Sequence, residues 1–303
     1  MRNNSLGEII RSLRKQAGLS QEELADGICS PVSISRIENG TQMPSSTVLD
    51  GLLSKLGTGT YQICDIYYKN EKQLAFEEKA ELVTKLVSEG KIVEAKAELV
   101  LLEDCAKENE TNLQYYLLLD ASVRMYEQDS PQEILTTLKQ ALSLTKQSFD
   151  FSDFRNVLLS VREANILNIL VVALYRMDKT LEAIHLGEEL MMTLKKHKSG
   201  LKEYQIIKIN LAFNLAQCME KEHRYKEALM YGELAEDLSI NSPEQVLLPE
   251  IEFIKAKAYH LLGDDTKCIR ILKAIVPYME LVQKSNFAEL VRTYALKELE
   301  LVI

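Results

Sequence analysis

Between positions 5 and 56, apolar residues recur every three or four places, the period of helices that each bury one face. Leu6, Ile9, Ile10 and Leu13 form the first stripe, with Ser5 and Glu8 placed as a capping box before it and Gly18 stopping it. Ser20 and Glu23 repeat the capping arrangement ahead of a short helix that reaches about Ile28. Ser30 and Pro31 begin a third helix, because proline at the first helical position gives up an N–H that has no partner there. Ile34 and Ile37 point inward from it, and Asn39-Gly40 supplies a left-handed stop. A fourth helix starts near Ser45 or Ser46 and ends at Leu56. GTGT, Gly57 to Thr60, predicts a turn, and Tyr61 to Tyr68 a last short helix. Residues 1–68 are therefore expected to be a compact helical head.

Residues 69–80, KNEKQLAFEEKA, are charged and helix-prone and predict a helical linker. Beyond them the pattern lengthens. KLVSEGKIVEAKAELVLLE, ALYRMDKTLEAIHLGEELM, CMEKEHRYKEALMYGELAE and AYHLLGDDTKCIRILKAIV each read as an apolar helix, a polar turn and a small residue opening a second helix. The small residues are Ala95, Ala183, Ala228 and Cys268, and a weaker copy between Ala121 and Leu142 places Ile134 there. Successive spacings from 95 to 134, 183, 228 and 268 are 39, 49, 45 and 40. Two copies share a glycine four residues on, Gly187 and Gly232. The pattern predicts about five degenerate helix hairpins over 81–285. Their period exceeds the 34 residues of a standard tetratricopeptide repeat, so helices or loops must be longer. Hairpins of this kind stack into a superhelix with a concave inner face. Residues 286–303, with Leu290, Val291, Tyr294, Leu299 and Val302 on broad apolar faces, are expected to cap the array or bind another subunit.

Composition supports mostly helix: 303 residues hold only 12 Gly and 6 Pro. The formal net charge of -9 argues against general coating of nucleic acid, yet permits a small DNA-reading head on an acidic body. Over 1–68 there are six Lys/Arg (Arg2, Arg11, Arg14, Lys15, Arg36, Lys55) and seven Asp/Glu (Glu8, Glu22, Glu23, Asp26, Glu38, Asp50, Asp65). A head of net charge -1 holds non-specific DNA weakly, so a homodimer reading two half-sites is expected. The five cysteines are far apart with no CxxC, as small buried hydrophobes in a reducing cytoplasm would be. MRNNSLGEII lacks the apolar core of a secretory signal, and no uncharged apolar run approaches a membrane span. A cytoplasmic protein without membrane contact is expected.

No HExxH, GxSxG, GxGxxG or phosphate loop occurs, so no catalytic residues are assigned and an enzyme is not expected. His185, His197, His223 and His260 lack metal-ligand spacing, and no metal or other cofactor is expected. The KKHK run at 195–198 reads as a solvated helix end.

The chemistry concentrates in the head. A helix-turn-helix needs two short helices at a fixed angle, a tight core, and polar residues at the front of the second helix. Residues 20 to 40 supply all three. LSQEELA (Leu19 to Ala25) and SISRIENG (Ser33 to Gly40), trailed by Pro44, resemble the lambda-repressor-like, or XRE, helix-turn-helix family over about residues 5 to 57. The resemblance implies that Gln21, Ser30 and Asn39 contact phosphates, that Val32, Ser33 and Arg36 face base edges, and that Arg14 and Glu38 tie the first helix to the third. Pro31 stands where many relatives carry a polar base reader. From the residues alone, Arg36 lies four places after Val32 on one helical face and can bond a guanine edge bidentately, while Val32 suits a thymine methyl.

In tetratricopeptide-like repeats the first helix of each pair lines the inner groove. Counting back from the small residues puts Asn165, Asn168, Val172 and Tyr175, then Asn210, Phe213, Asn214 and Gln217, on that lining. Side-chain amides both donate and accept, so such a set can hold an extended peptide by its main chain. The alternative is that these asparagines are solvated or bridge neighbouring helices. Arg124, Tyr126, Arg176, Tyr204, Lys257, Tyr259 and His260 could add charge or aromatic surface.

The whole layout, an XRE-type head followed by about five degenerate repeats, resembles the RRNPP regulators of Gram-positive bacteria, the PlcR-like members most nearly. That resemblance implies an all-α fold with a lambda-repressor-like head and a right-handed tetratricopeptide-like α-solenoid. It also implies dimerisation, and DNA binding controlled by a short signalling peptide in the groove. Two other readings stand beside it: a repressor whose repeats serve only dimerisation or protein contact, and an interaction adaptor whose head does not bind DNA.

Overall fold

The computed structural model describes residues 6–57, 71–127, 129–196, 202–243 and 247–303. Among these residues there are sixteen helices and no strand. The expected capping residue Ser5, the last short helix over 61–68, and His197 and Lys198 of the basic run lie outside the described residues. The chain divides into two compact units, one of 1–178 with 192–204, the other of 179–191 with 205–303.

In the first unit the head consists of α1 (Leu6–Gln16), α2 (Gln21–Ala25), α3 (Pro31–Glu38) and α4 (Ser46–Lys55). Its helix starts are set locally. Ser20 and Glu23 close a reciprocal capping box on α2, the Ser30 hydroxyl accepts from the Ser33 N–H, and the Ser45 hydroxyl accepts from the Val48 N–H. Ile10, Leu24, Ile34, Ile37, Leu52 and Leu56 fill the core, each contributing about 2 kcal/mol by leaving water. Gly7 is the close-approach point: a Cβ there would run into the Ile37 carbonyl, so α1 can lie directly on the end of α3.

α5 (Glu71–Ser88) and α6 (Ile92–Val100) form the first hairpin, followed by the single turn α7 (Glu103–Ala106) and the hairpin α8 (Glu110–Tyr126) and α9 (Pro131–Thr145). The boundary expected at 80/81 falls inside α5. Phe76, Ala80 and Val83 recur at helical spacing and pack with Ala95, Leu99, Leu119 and Val123, so the charged stretch after 70 belongs to the first hairpin.

The later helices are α10 (Val161–Arg176), α11 (Thr180–Lys196), α12 (Lys202–Lys221), α13 (Tyr225–Ile240), α14 (Leu248–Leu261), α15 (Asp265–Leu281) and α16 (Ser285–Leu299). Ala95, Ile134, Ala183, Ala228 and Cys268 fall on the second helix of successive pairs, and all five are buried. The two repeat glycines are packing glycines in the second unit. A Cβ on Gly187 would lie 2.8 Å from Leu215 Cδ2, and one on Gly232 2.7 Å from Lys255 Cγ. Hairpin turns place one residue in the left-handed region: Gly90, Asp178, His223, Gly263 and Gln283. α16 buries Ala288, Val291 and Ala295 against α14 and α15 through Phe253, Leu272 and Ile275, and leaves Leu290 and Leu296 exposed.

Candidate nucleic-acid interface and the inner repeat helices

α2 and α3 are the two helices of the turn motif, and α3 carries its residues on two faces. Ile34, Ile37 and Glu38 are buried, whereas Val32 is 59% exposed and Arg36 is exposed. Ser33 is half-buried, and its hydroxyl lies 2.8 Å from that of Ser30. The exposed front of α3 is therefore an apolar patch, two hydroxyls and a guanidinium within about two turns, a set suited to base edges and a phosphate. Thr41 closes the far end by donating both its N–H and its hydroxyl to the Arg36 carbonyl.

Glu38 holds this surface to the rest of the head. Its side chain is fully buried and the carboxylate accepts from Arg14 Nε at 2.5 Å and Nη2 at 3.0 Å, from Gln21 Nε2 at 2.8 Å and from Arg11 Nε at 3.4 Å. Burial opposes its ionisation, but the hydrogen bonds from Arg14 and Gln21 and the charge of Arg14 prevail and hold the carboxyl below its ordinary range. Arg14 also donates to the Leu19 carbonyl at 2.8 Å, so one guanidinium fixes α1, the turn before α2, and α3 together.

The residues expected at phosphates are placed as follows. Ser30 caps α3 at the surface. Asn39 is exposed just beyond α3, and its side-chain carbonyl accepts from Arg11 Nη2. Gln21 is half-buried and spends one amide hydrogen on Glu38. One participant, Arg11, was missed from sequence: it joins Glu38 and Asn39. Gln21, expected at a phosphate, is also a member of the Glu38 cluster. Gly7, Arg11 and Arg14 lie at i, i+4 and i+7 of α1, so the close approach permitted by Gly7 and the two guanidinium contacts share one face. That spacing was the available signal.

Of the residues expected to face a groove, the first unit holds Asn165, Asn168 and Tyr175 on α10. Asn165, Ile169 and Val172 form one half-buried stripe ending in exposed Arg176, whose guanidinium donates to the Met125 carbonyl. Tyr175 is half-buried, and Asn168 is only 5% exposed. In the second unit Asn210, Phe213, Asn214 and Gln217 share one half-buried stripe of α12, opposite buried Leu211, Ala212, Leu215 and Met219. Lys257 is paired with Glu220 at 2.6 Å and His260 with Asp265 at 2.6 Å. Tyr204, expected as surface, is instead fully buried.

Among the described residues no group of three or more His, Cys, Asp or Glu could hold a metal ion. No helix among them is long and apolar enough to cross a membrane.

Residues 10–63 match the helix-turn-helix family HTH_3. No curated protein sequence is similar enough to this chain to count as a relative. The fold is similar to that of PlcR from Bacillus thuringiensis solved with the peptide PapR7 and DNA. The TM-score is 0.63 and the identity 17%, over 95% of this chain and 99% of that one. The apo form of the same protein gives a TM-score of 0.56 and 16% identity over 94% and 97%. The apo competence regulator ComR from Streptococcus vestibularis gives 0.51 and 19% over 97% and 98%. The chain thus has the all-helical fold of these regulators, with a helix-turn-helix head and tetratricopeptide-like repeats.

Proposed function

We propose that the protein is a cytoplasmic transcription regulator whose head binds specific DNA under the control of a short signalling peptide. The observation that carries the reading is the front of α3, where Val32 and Arg36 stand free of the core while Glu38 anchors the same helix from behind. Gln21, Ser30 and Asn39 are the proposed phosphate contacts, and Val32, Ser33 and Arg36 the proposed base contacts. A guanidinium on a guanine edge would supply about 1–3 kcal/mol of discrimination. Because the head carries net charge -1 over 1–68, two heads on two half-sites, hence a homodimer, are proposed as the source of useful affinity.

For the ligand, the proposed main-chain contacts are Asn165, Asn168 and Tyr175 on α10, and Asn210, Asn214 and Gln217 on α12. The half-buried amides of Asn165, Asn210 and Asn214 support this part of the reading, as does the likeness in fold to a protein solved with a peptide and DNA. Buried Asn168 would act from beneath the stripe.

The experiment is a screen of short peptides for those that change the affinity of the full-length protein for its selected DNA, repeated with Asn165→Ala and Asn210→Ala. The proposal expects a responsive peptide, and variants that keep DNA affinity while losing the response. Variants that respond as the wild type does would remove these positions from the site. A screen with no responsive peptide would favour repeats that only join subunits or partners.

A further inference from the structure

The spacing from Ile134 to Ala183 is 49 residues, against 39 from Ala95 to Ile134, an excess of ten. Part of the excess lies in α9, longer than α6, and part in the loop between α9 and α10, which runs over 146–160 against 101–109 before α8 and is ordered by its surroundings. Phe149 packs on Phe151 and Phe154, the Thr193 hydroxyl donates to the Phe154 carbonyl at 3.2 Å, and Lys146 Nζ donates to the Leu158 carbonyl at 3.0 Å. The loop ends at Leu159, immediately before the capping box that Ser160 and Glu163 build on α10. Leu159 is buried and its carbonyl is thereby fixed in place.

The Leu159 carbonyl and the carbonyl of Gly57 meet one group. The Tyr204 hydroxyl lies 2.6 Å from Leu159 O and 2.9 Å from Gly57 O, and the Tyr204 side chain is fully buried. Gly57, with φ +74°, lies two residues beyond α4, the head's last described helix. All three residues belong to the first unit. Burial pushes the phenol up, so it stays protonated and acts as a donor. A phenol has one proton, and two carbonyls compete for it.

We propose that Tyr204 is a two-acceptor latch between the head and α10, holding Gly57 or letting it go as its one proton is directed to Gly57 or to Leu159. The chemistry makes release inexpensive. A buried hydroxyl that lost its only acceptor would carry a desolvation penalty, whereas Tyr204 that loses Gly57 still donates to Leu159. Gly57 then needs only a water at its carbonyl. Leu159 is six residues before Asn165, so a ligand that shifts the start of α10 changes which carbonyl the proton favours. That last step rests on the peptide reading; the latch itself does not.

Two measurements on the full-length protein test the latch without any ligand. In wild-type protein with carbon-13 at the tyrosine ring Cζ, a mixture of light and heavy water resolves two Tyr204 signals if the hydroxyl proton is held, and one averaged signal if it is open. The latch requires two; one averaged signal overturns it. In Tyr204→Phe, which keeps the ring and removes the hydroxyl, amide exchange at 52–57 should quicken about fivefold, while Ile34 and Ile37 in the centre of the head stay as they were. Unchanged exchange at 52–57, or an equal rise throughout the head and repeats, overturns it. If the variant does not fold, the wild-type measurement decides. A positive result here with no responsive peptide would sink the peptide reading and leave the latch standing.

Discussion

Replacing Glu38 with glutamine keeps the shape of the side chain and removes the charge that three residues share. Arg14, whose side chain is 11% exposed, would then face a neutral amide able to accept only part of its hydrogen bonds. Breaking a buried ion pair from one side costs about 3–5 kcal/mol, because the remaining charge has lost its solvation and its partner. Taking about 3 kcal/mol, and tenfold for every 1.4 kcal/mol, the open state of the head should become about 100-fold more populated. Hydrogen exchange at the Ile34 and Ile37 amides of the full-length protein reads this directly, since both lie in the head's core. The effect should depend on pH in a defined sense. The Glu38 carboxyl is held below its ordinary range, so its contribution is complete above the unfolded carboxyl value of about 4.3 and fades as pH falls through the lower folded value. Glu38→Gln should lose that acid-side dependence. The pair Arg14→Met with Glu38→Leu should recover more than half of the loss, since no uncompensated charge remains. A change below about fivefold in Glu38→Gln, or a double variant as unstable as the single, would refute the assignment of Glu38 as the organising residue.

Other consequences are smaller. Arg11→Ala, which frees the Asn39 side chain from its guanidinium partner, should weaken DNA binding about equally for all sequences, read from affinity for several unrelated duplexes at one salt concentration. Gly232→Ala should cost about 1–3 kcal/mol in thermal denaturation, since the new methyl displaces Lys255 from Glu236 and Glu252, now at 2.6 and 2.9 Å. Gln283→Gly should raise stability by about 0.5–1 kcal/mol, because an exposed left-handed turn at φ 60° then carries no side-chain penalty. In alkylation at about pH 8, half-buried Cys29 and Cys105 should react before Cys218 and Cys268, whose thiols burial pushes up to about 12 and about 11.

Much of the head was legible because its signals are local. Ser20 with Glu23, and Ser30 ahead of Pro31, act within one turn of chain, and both caps form as the residues suggest. The repeat phase was legible for a different reason: Ala95, Ile134, Ala183, Ala228 and Cys268 each follow a polar turn at a similar distance, and all five are buried on the second helix of their pair. What sequence did not reveal is long-range. Gln21 and Arg11 converge on Glu38 from 17 and 27 residues away. Phe76 and Ala80 sat unnoticed because charged residues surround them in sequence, although both are buried in the core of the first hairpin. Asn168 shows what spacing alone leaves open: three places after Asn165 on α10, its side chain is turned about 60° from it, enough to separate a half-buried position from a buried one.

The central claim is that the front of α3 reads DNA, and it is tested most directly by selecting fragments from a random duplex pool with the purified full-length protein beside Arg36→Ala at moderate salt. The account predicts an enriched site with two-fold symmetry that the variant fails to enrich while remaining folded. Enrichment of the same site by both proteins would contradict the role given to Arg36, and no enrichment by the wild type, with or without a responsive peptide, would contradict DNA reading altogether.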